Sequence, residues 1–300
     1  MIRAPGETWG EAATYLRFAL MRWLGRHLPT HTGRALAKLG GTIAYHLASG
    51  ARAVVAANQA QVLGRSAEDP LVQGSVREAF QLYARFWFDV FHIGTWDDRR
   101  LLDAVNFEGL DVLHEAREAG AGVVITLPHS GNYDVAGRAV VASGIPVVAV
   151  AEQLKPDRLA DMFHAERAEG LGLEIVPLRA EAHVGQRLAT ALAANKAIAL
   201  LADRDLNGRG TKVDLFGRPH RFPIGPAMLA IQSGAPIVIA ETYQTPTGWT
   251  VRMRRMHDVP RTGERRTDVT ATIAALAGVF EETISAAPAD WHMFQPCWED

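Results

Sequence analysis

The sequence predicts an α/β protein: a central, largely parallel sheet flanked by helices, with a helical N-terminal extension. Three observations predict it. From about residue 106 onward, short apolar runs alternate with stretches of helical periodicity, as strands covered on both faces by crossover helices do. Residues 1–100 carry helical periodicity alone. Over 300 residues the composition is 48% hydrophobic and 21% charged, enough apolar mass for a sizeable core, which excludes disorder.

The elements follow in order. An amphipathic helix over about 8–28 stops at Pro29, and further helices cover about Gly33–Ala48, Arg52–Leu63 and the aromatic-rich Pro70–Ile93. Ala121–Leu127, Pro146–Ala151, Leu173–Pro177, Ala197–Ala202 and Pro236–Glu241 read as buried strands. Tyr133–Ser143, Pro156–Gly170 and Ala182–Asn195 read as the helices between them. Thr250–Met256 is expected to add an edge strand and Val269–Ala286 a closing helix. Repeats, low-complexity tracts and Gly/Ser/Pro linkers are missing, so residues 1–300 read as one domain: a helical region over 1–100 and an α/β core over 106–300.

The single cysteine, Cys297, excludes an internal disulfide and any multi-cysteine metal site, and fits a reducing compartment. No apolar run approaches the roughly 18 residues of a membrane span, and no signal-peptide pattern opens the chain. The net charge of -2 hides an asymmetry. Residues 1–65 hold eight Lys or Arg and two acids, net +6, which leaves -8 for the remainder. An anionic partner near the N-terminus is therefore expected. In the 8–28 helix, Trp9, Ala12, Ala13, Leu16, Ala19, Leu20, Trp23 and Leu24 form one stripe about 140° wide. Tyr15 and Phe18 lie off it among arginines, a pattern that favours a helix lying in a membrane interface over nucleic-acid binding.

Gly-x-Ser-x-Gly, Gly-x-Gly-x-x-Gly, Walker A and His-Glu-x-x-His patterns are all missing, which argues against a hydrolase elbow, a nucleotide loop and a zinc site. The informative segment is Leu127–Asp134 (Leu-Pro-His-Ser-Gly-Asn-Tyr-Asp). Its His-x4-Asp spacing alone decides nothing, because His92/Asp97 repeats it at the end of the aromatic-rich helix and His164/Glu169 inside a charged helix; on a continuous helix residues five apart diverge by about 140°. His129 differs by sitting on a strand-to-helix turn, the ligand-binding end of a parallel sheet. There it can fold back toward Asp134 and act as a general base on a substrate hydroxyl. Ser130 is the rival nucleophile, but side chains adjacent in sequence rarely meet in the needed geometry.

The segment with its flanking strand and helix resembles the His-x4-Asp block of the bacterial lipid A biosynthesis acyltransferase family. The resemblance extends through Phe107–Leu110, the Arg167 helix, Leu200–Asp205, Val213–Gly217 and Pro226–Pro236. The Ala- and Arg-rich composition and the lack of a membrane span look most like the actinobacterial branch that acylates phosphatidylinositol mannoside. The resemblance implies an acyl-CoA donor, a glycolipid acceptor, an anionic membrane surface as partner, no metal and no further cofactor. It makes His129 the general base, Asp134 its orienting carboxylate, and Glu152, Arg167, Asp203 and Arg204 the lining of the substrate groove. The Phe-Pro-Glu-Gly-Thr-Arg block of glycerol-phosphate acyltransferases is missing, which argues against that acceptor. A lipid A-type acceptor and a non-catalytic lipid-binding role on the same fold stay open. The cytoplasmic face of the cell membrane is the expected location.

Overall fold

The computed structural model describes residues 4–179, 182–206, 208–257 and 259–298. Four helices open the chain: α1 (Trp9–His27), α2 (Thr30–Leu47), α3 (Ser49–Leu63) and α4 (Pro70–Ile93). Thr8 and Glu11 cap α1 reciprocally, each side chain bonding the other's backbone N–H. Leu28, ahead of Pro29, turns extended and ends the helix. Asp69 caps α4 by accepting from the Leu71 N–H at 2.8 Å, with Pro70 in the first turn.

After α5 (Asp98–Ala104), a seven-stranded sheet takes the order β1-β9-β8-β2-β5-β3-β4. Its strands are β1 (Val105–Glu108), β2 (Val123–Leu127), β3 (Val147–Glu152), β4 (Glu174–Leu178), β5 (Ala197–Leu201), β8 (Ile237–Gln244) and β9 (Trp249–Met256). Every pairing is parallel except β8 with β9. The expected edge role of Thr250–Met256 is corrected: β1 pairs outside β9 and takes the edge itself. The strand-poor stretch before residue 106 concealed this four-residue strand. A separate hairpin joins β6 (Thr211–Leu215) to β7 (Arg218–Phe222).

Helices cover both faces of the sheet. α6 (Leu110–Glu118) and α7 (Tyr133–Ala142) join α5 on one face, over Val123, Ile125, Leu127 and Val147. α9 (Val184–Ala193), α10 (Gly225–Ser233) and α11 (Arg265–Ala286) cover the other, over Val124, Val148, Val176, Ile198 and Leu200. The predicted Pro156–Gly170 helix is α8 (Asp157–Ala165), which widens into a π turn over Glu166–Gly170.

α2 packs against α4 through glycine. A Cβ on Gly41 would come within 2.5 Å of the Phe80 carbonyl oxygen, so only glycine permits this approach, and one on Gly33 would meet the Phe88 ring at 2.0 Å. With its small face turned inward, α2 presents Leu36, Leu39, Ile43 and Leu47 outward, the last 79% exposed. α1 does the same with Trp9, Leu16, Leu20 and Trp23. Tyr15 and Phe18, off that stripe, anchor α1 to the body. Phe18 packs edge-on against Trp87 and Phe163, and Arg158 lies over the Tyr15 ring. Part of the N-terminal positive charge is likewise spent internally. Arg22 and Arg26 both bond Glu166, at 2.9 and 3.0 Å, and Arg34 bonds Asp89 at 2.9 Å.

Candidate active site

The sheet topology decides which carboxylate meets His129. β2 and β5 are adjacent parallel strands with Leu127 opposite Leu201. Two residues beyond each lie His129 and Asp203, side by side at the carboxyl ends. The His129 Nδ1 is 2.5 Å from Asp203 Oδ1, and the His129 backbone N–H donates to Asp203 Oδ2 at 3.0 Å. Trp291 donates its indole N–H to the same Oδ2 at 2.9 Å. Asp203 is fully buried. Burial alone would raise its carboxyl, but the His129 charge and these hydrogen bonds outweigh it and hold the group down to about 2. The ionised Asp203 holds the imidazole by Nδ1 and leaves Nε2 as the ring nitrogen free to face a substrate.

The expected His129–Asp134 pairing is therefore corrected. Asp134 lies in the first turn of α7, aimed at Arg167, which grips it in two-pronged fashion: Nε to Oδ1 at 3.0 Å and Nη2 to Oδ2 at 2.9 Å. Burial lowers the Arg167 guanidinium, but the Asp134 charge outweighs it and the net shift is upward. Asp203, expected in the groove lining, sits behind His129, out of contact with the groove. Asp203 occupies the place beside His129 expected of Asp134, and Asp134 a place in the cavity lining expected of Asp203.

His129, Asp134, Glu152, Arg167 and Arg204 line one cavity of about 230 Å³. Glu152 ends β3 and is exposed at the rim. Arg204 follows β5 and donates to Gln295 Oε1 at 2.9 Å. Below this polar mouth the walls are apolar. Ile125 and Leu127, Ala149 and Ala151, and Ala199 and Leu201 form the floor from three neighbouring strands, while Ala136, Gly137 and Val140 of α7 form the roof. The lining runs from Met253 on β9 to Ile175 on β4, a crossing of six strands that amounts to about 24 Å at the usual strand spacing. Ala149 and Ala199 pair in register, so the floor is shallowest in side chains where β3 meets β5.

The loop carrying His129 is tightly held. Gly131 adopts φ 58°, and a Cβ there would lie 2.2 Å from the Thr242 carbonyl oxygen, so no other residue fits. The Thr242 hydroxyl donates to the Ser130 carbonyl. Ser130 is itself buried, and its Oγ has no hydrogen-bond partner among the described residues, so nothing couples it to His129 as a nucleophile would require. Cys297 is buried and its thiol is pushed up by desolvation, which leaves it inert. No cluster of potential metal ligands occurs among the described residues.

Residues 8–300 match the family described as bacterial lipid A biosynthesis acyltransferase. The chain belongs to that family. A phosphatidylinositol mannoside acyltransferase from Mycolicibacterium smegmatis is 36% identical over 290 residues, which is 96% of this chain and 92% of the relative. Proteins of the same name from two strains of Mycobacterium tuberculosis are 40% identical over 248 residues, 80% of this chain and 75% of theirs. This acyltransferase is thus an acyl-transferring enzyme, and a non-catalytic role on the same fold falls away.

Residue-by-residue inspection of the sequence missed three contributors. Tyr83 and Trp87 reach the cavity from α4, and Trp291 reaches Asp203 from near the C-terminus. The only available signal was the density of aromatics in Phe80–Phe91 and Trp291–Phe294.

Proposed function

We propose that this acyltransferase moves a fatty acyl chain, palmitoyl above all, from acyl-CoA to a mannose hydroxyl of phosphatidylinositol mannoside. It would work on the cytoplasmic face of the cell membrane as a peripheral protein. The observation that carries the proposal is the His129–Asp203 pair at the polar mouth of an apolar cavity long enough for an extended acyl chain. The acceptor comes from the relatives' names.

In this mechanism the acceptor hydroxyl gives its proton to His129 Nε2 as its oxygen attacks the thioester carbonyl carbon. Asp203 stabilises the imidazolium that forms. The tetrahedral adduct then collapses, the C–S bond breaks, and the departing thiolate takes the proton from Nε2. The thioester is already activated, so no covalent acyl-enzyme is required. The positive end of α7, which reaches the cavity through Tyr133 and Asp134, favours the oxyanion. Arg167 holds Asp134, and Glu152 and Arg204 are left at the rim to meet polar parts of the substrates.

Membrane attachment rests on the outward apolar faces of α1 and α2. Four large apolar side chains on each helix, including Trp9 at 71% exposure, lie outward, and Arg17 of α1 and Lys38 of α2 are also exposed. Cationic residues among apolar ones suit an anionic lipid surface. Trp87 lines the cavity and also contacts Phe18 of α1, so α4 joins the lipid-facing side to the site.

Incubation with palmitoyl-CoA and a panel of acceptors, read by mass spectrometry, tests the proposal. Acyl transfer to the mannosylated phosphoinositide is expected. Product on a lipid A-type disaccharide alone would overturn the acceptor, and turnover with another thioester but not acyl-CoA would overturn the donor.

A further inference from the structure

Taking His129 as the general base, as proposed above, we propose that Trp291 is a positioning residue for the reaction: its indole N–H orients Asp203 so that the carboxylate can orient His129. Asp203 is fully buried, so no water can replace a lost donor. Oδ1 is committed to the His129 ring. Oδ2 accepts from the His129 backbone N–H and from Trp291, the only side-chain donor recorded on that oxygen among the described residues. Those contacts set the plane of the carboxylate, and the plane sets the direction in which Oδ1 presents itself to the imidazole.

The backbone around Trp291 is docked onto the same loop. The Gly131 N–H donates to the Asp290 carbonyl at 2.9 Å, and the His292 N–H donates to the His129 carbonyl at 2.7 Å. Between these bonds Ser130 and Trp291 form an antiparallel bridge. The His292 side chain adds a third tie, with Nε2 2.7 Å from the Gly131 carbonyl. Burial pulls His292 down to about 4, so at neutral pH it is uncharged and donates from Nε2. Asp290–His292 therefore grips the His129 loop by its backbone and Asp203 by its side chain. A change in one is transmitted to the other. Trp291 is 1% exposed and also packs against Trp298, so its bulk and its N–H are separable contributions.

Trp291→Phe separates them, since it keeps most of the bulk and removes the donor. With melting otherwise intact, kcat is expected to fall about tenfold, the scale of one hydrogen bond to a charged group, with the KM values for both substrates nearly unchanged. An Asp203 with one donor fewer is a stronger base and holds the imidazolium more firmly. The acid limb of the kcat/KM profile should therefore move to higher pH. Uniform 6-fluorotryptophan substitution, which strengthens the indole donor without changing the fold, should move the same limb to lower pH. It remains informative if Trp291→Phe fails to fold. Wild-type kcat with an unmoved limb in the phenylalanine variant would overturn the proposal. So would a loss of kcat and melting temperature together with an unmoved limb in both proteins, which would make Trp291 merely structural. Undiminished transfer by His129→Ala is a different failure, that of the base assignment itself.

Discussion

α11 and α2 lie at opposite ends of the chain and use apolar side chains in opposite directions. Among the described residues α11 alone is long and apolar enough to cross a membrane, yet Ile273, Leu276, Phe280 and Ile284 all point into the core. α2 carries Gly33, Gly40 and Gly41, a poor composition for a spanning helix. It nevertheless turns Leu36, Leu39, Ile43 and Leu47 outward, because Gly41 must face the Phe80 backbone. Total hydropathy would single out α11, the helix whose apolar side chains are buried. What matters is which face the small residues claim. Glycine toward the neighbour leaves the leucines on the outer face, which is the face the proposed membrane contact uses.

The proposed catalytic and lipid-facing regions should break independently, and the largest effect tests this. His129→Ala and Asp203→Asn are each expected to lower kcat by about 10³- to 10⁴-fold, because the first removes the proposed base and the second its proposed orienting charge. Vesicle binding by both variants should match the parent in a co-sedimentation assay. A joint loss would mean that the two regions form one cooperative unit.

Next in size is a matched pair of substitutions on the two compared helices. Leu276→Glu buries an unpaired carboxylate in α11 and should cost about 4 kcal/mol or more, enough to abolish a cooperative melt. Leu39→Glu makes the same chemical change on the outer face of α2 and should leave the melting temperature within about 2 °C, as exposed substitutions do. Similar destabilisation by both would mean that the α2 face is covered in solution.

How far the site could be read from sequence follows the same division between local and distant information. Pro70–Ile93 matched its helix residue for residue, because Asp69, Pro70 and an uninterrupted aromatic face are local signals. The strands flanking His129 and Asp203 were legible as apolar runs. Their adjacency was not, because strand order is set by packing across the whole sheet. Without it, Asp134, five residues along the chain, looked a better partner for His129 than Asp203, which is 74 away. Trp291 was still less visible, being 88 residues beyond Asp203. Strand β1 was missed because its alternation, Val-Asn-Phe-Glu, is only four residues long, too short a run to stand out as a strand.

A smaller effect sharpens the lipid-facing side. The double variant Leu39→Glu, Ile43→Glu removes two apolar side chains from the proposed contact at about 1 kcal/mol each, since each is only about half exposed. Partitioning onto vesicles of anionic phospholipid should fall by at least about 30-fold. Raising salt should weaken the parent's binding further, since Arg17 and Lys38 act through screened charge. If only salt, and not the leucine face, controls binding, the apolar surface has some other occupant.

The smallest expected effect lies at the seam between the regions, where Asp290 adjoins the Trp291 clamp and accepts from the backbone and side chain of Gln244. Burial raises its carboxyl to about 7, against the partial opposition of those bonds and of Arg85. A carboxyl whose folded value lies above its unfolded one binds more protons in the folded state. It therefore contributes stability at low pH that is lost as pH rises toward and through 7. Between pH 6 and 8 that loss is about 1 kcal/mol. Asp290→Asn cannot ionise, so its stability relative to the parent should rise by that amount across the same interval, measured by urea melts at pH 6 and 8. A pH-independent difference would mean that Asp290 is already ionised at pH 6. The negative charge beside the clamp would then be a permanent part of the catalytic loop's support.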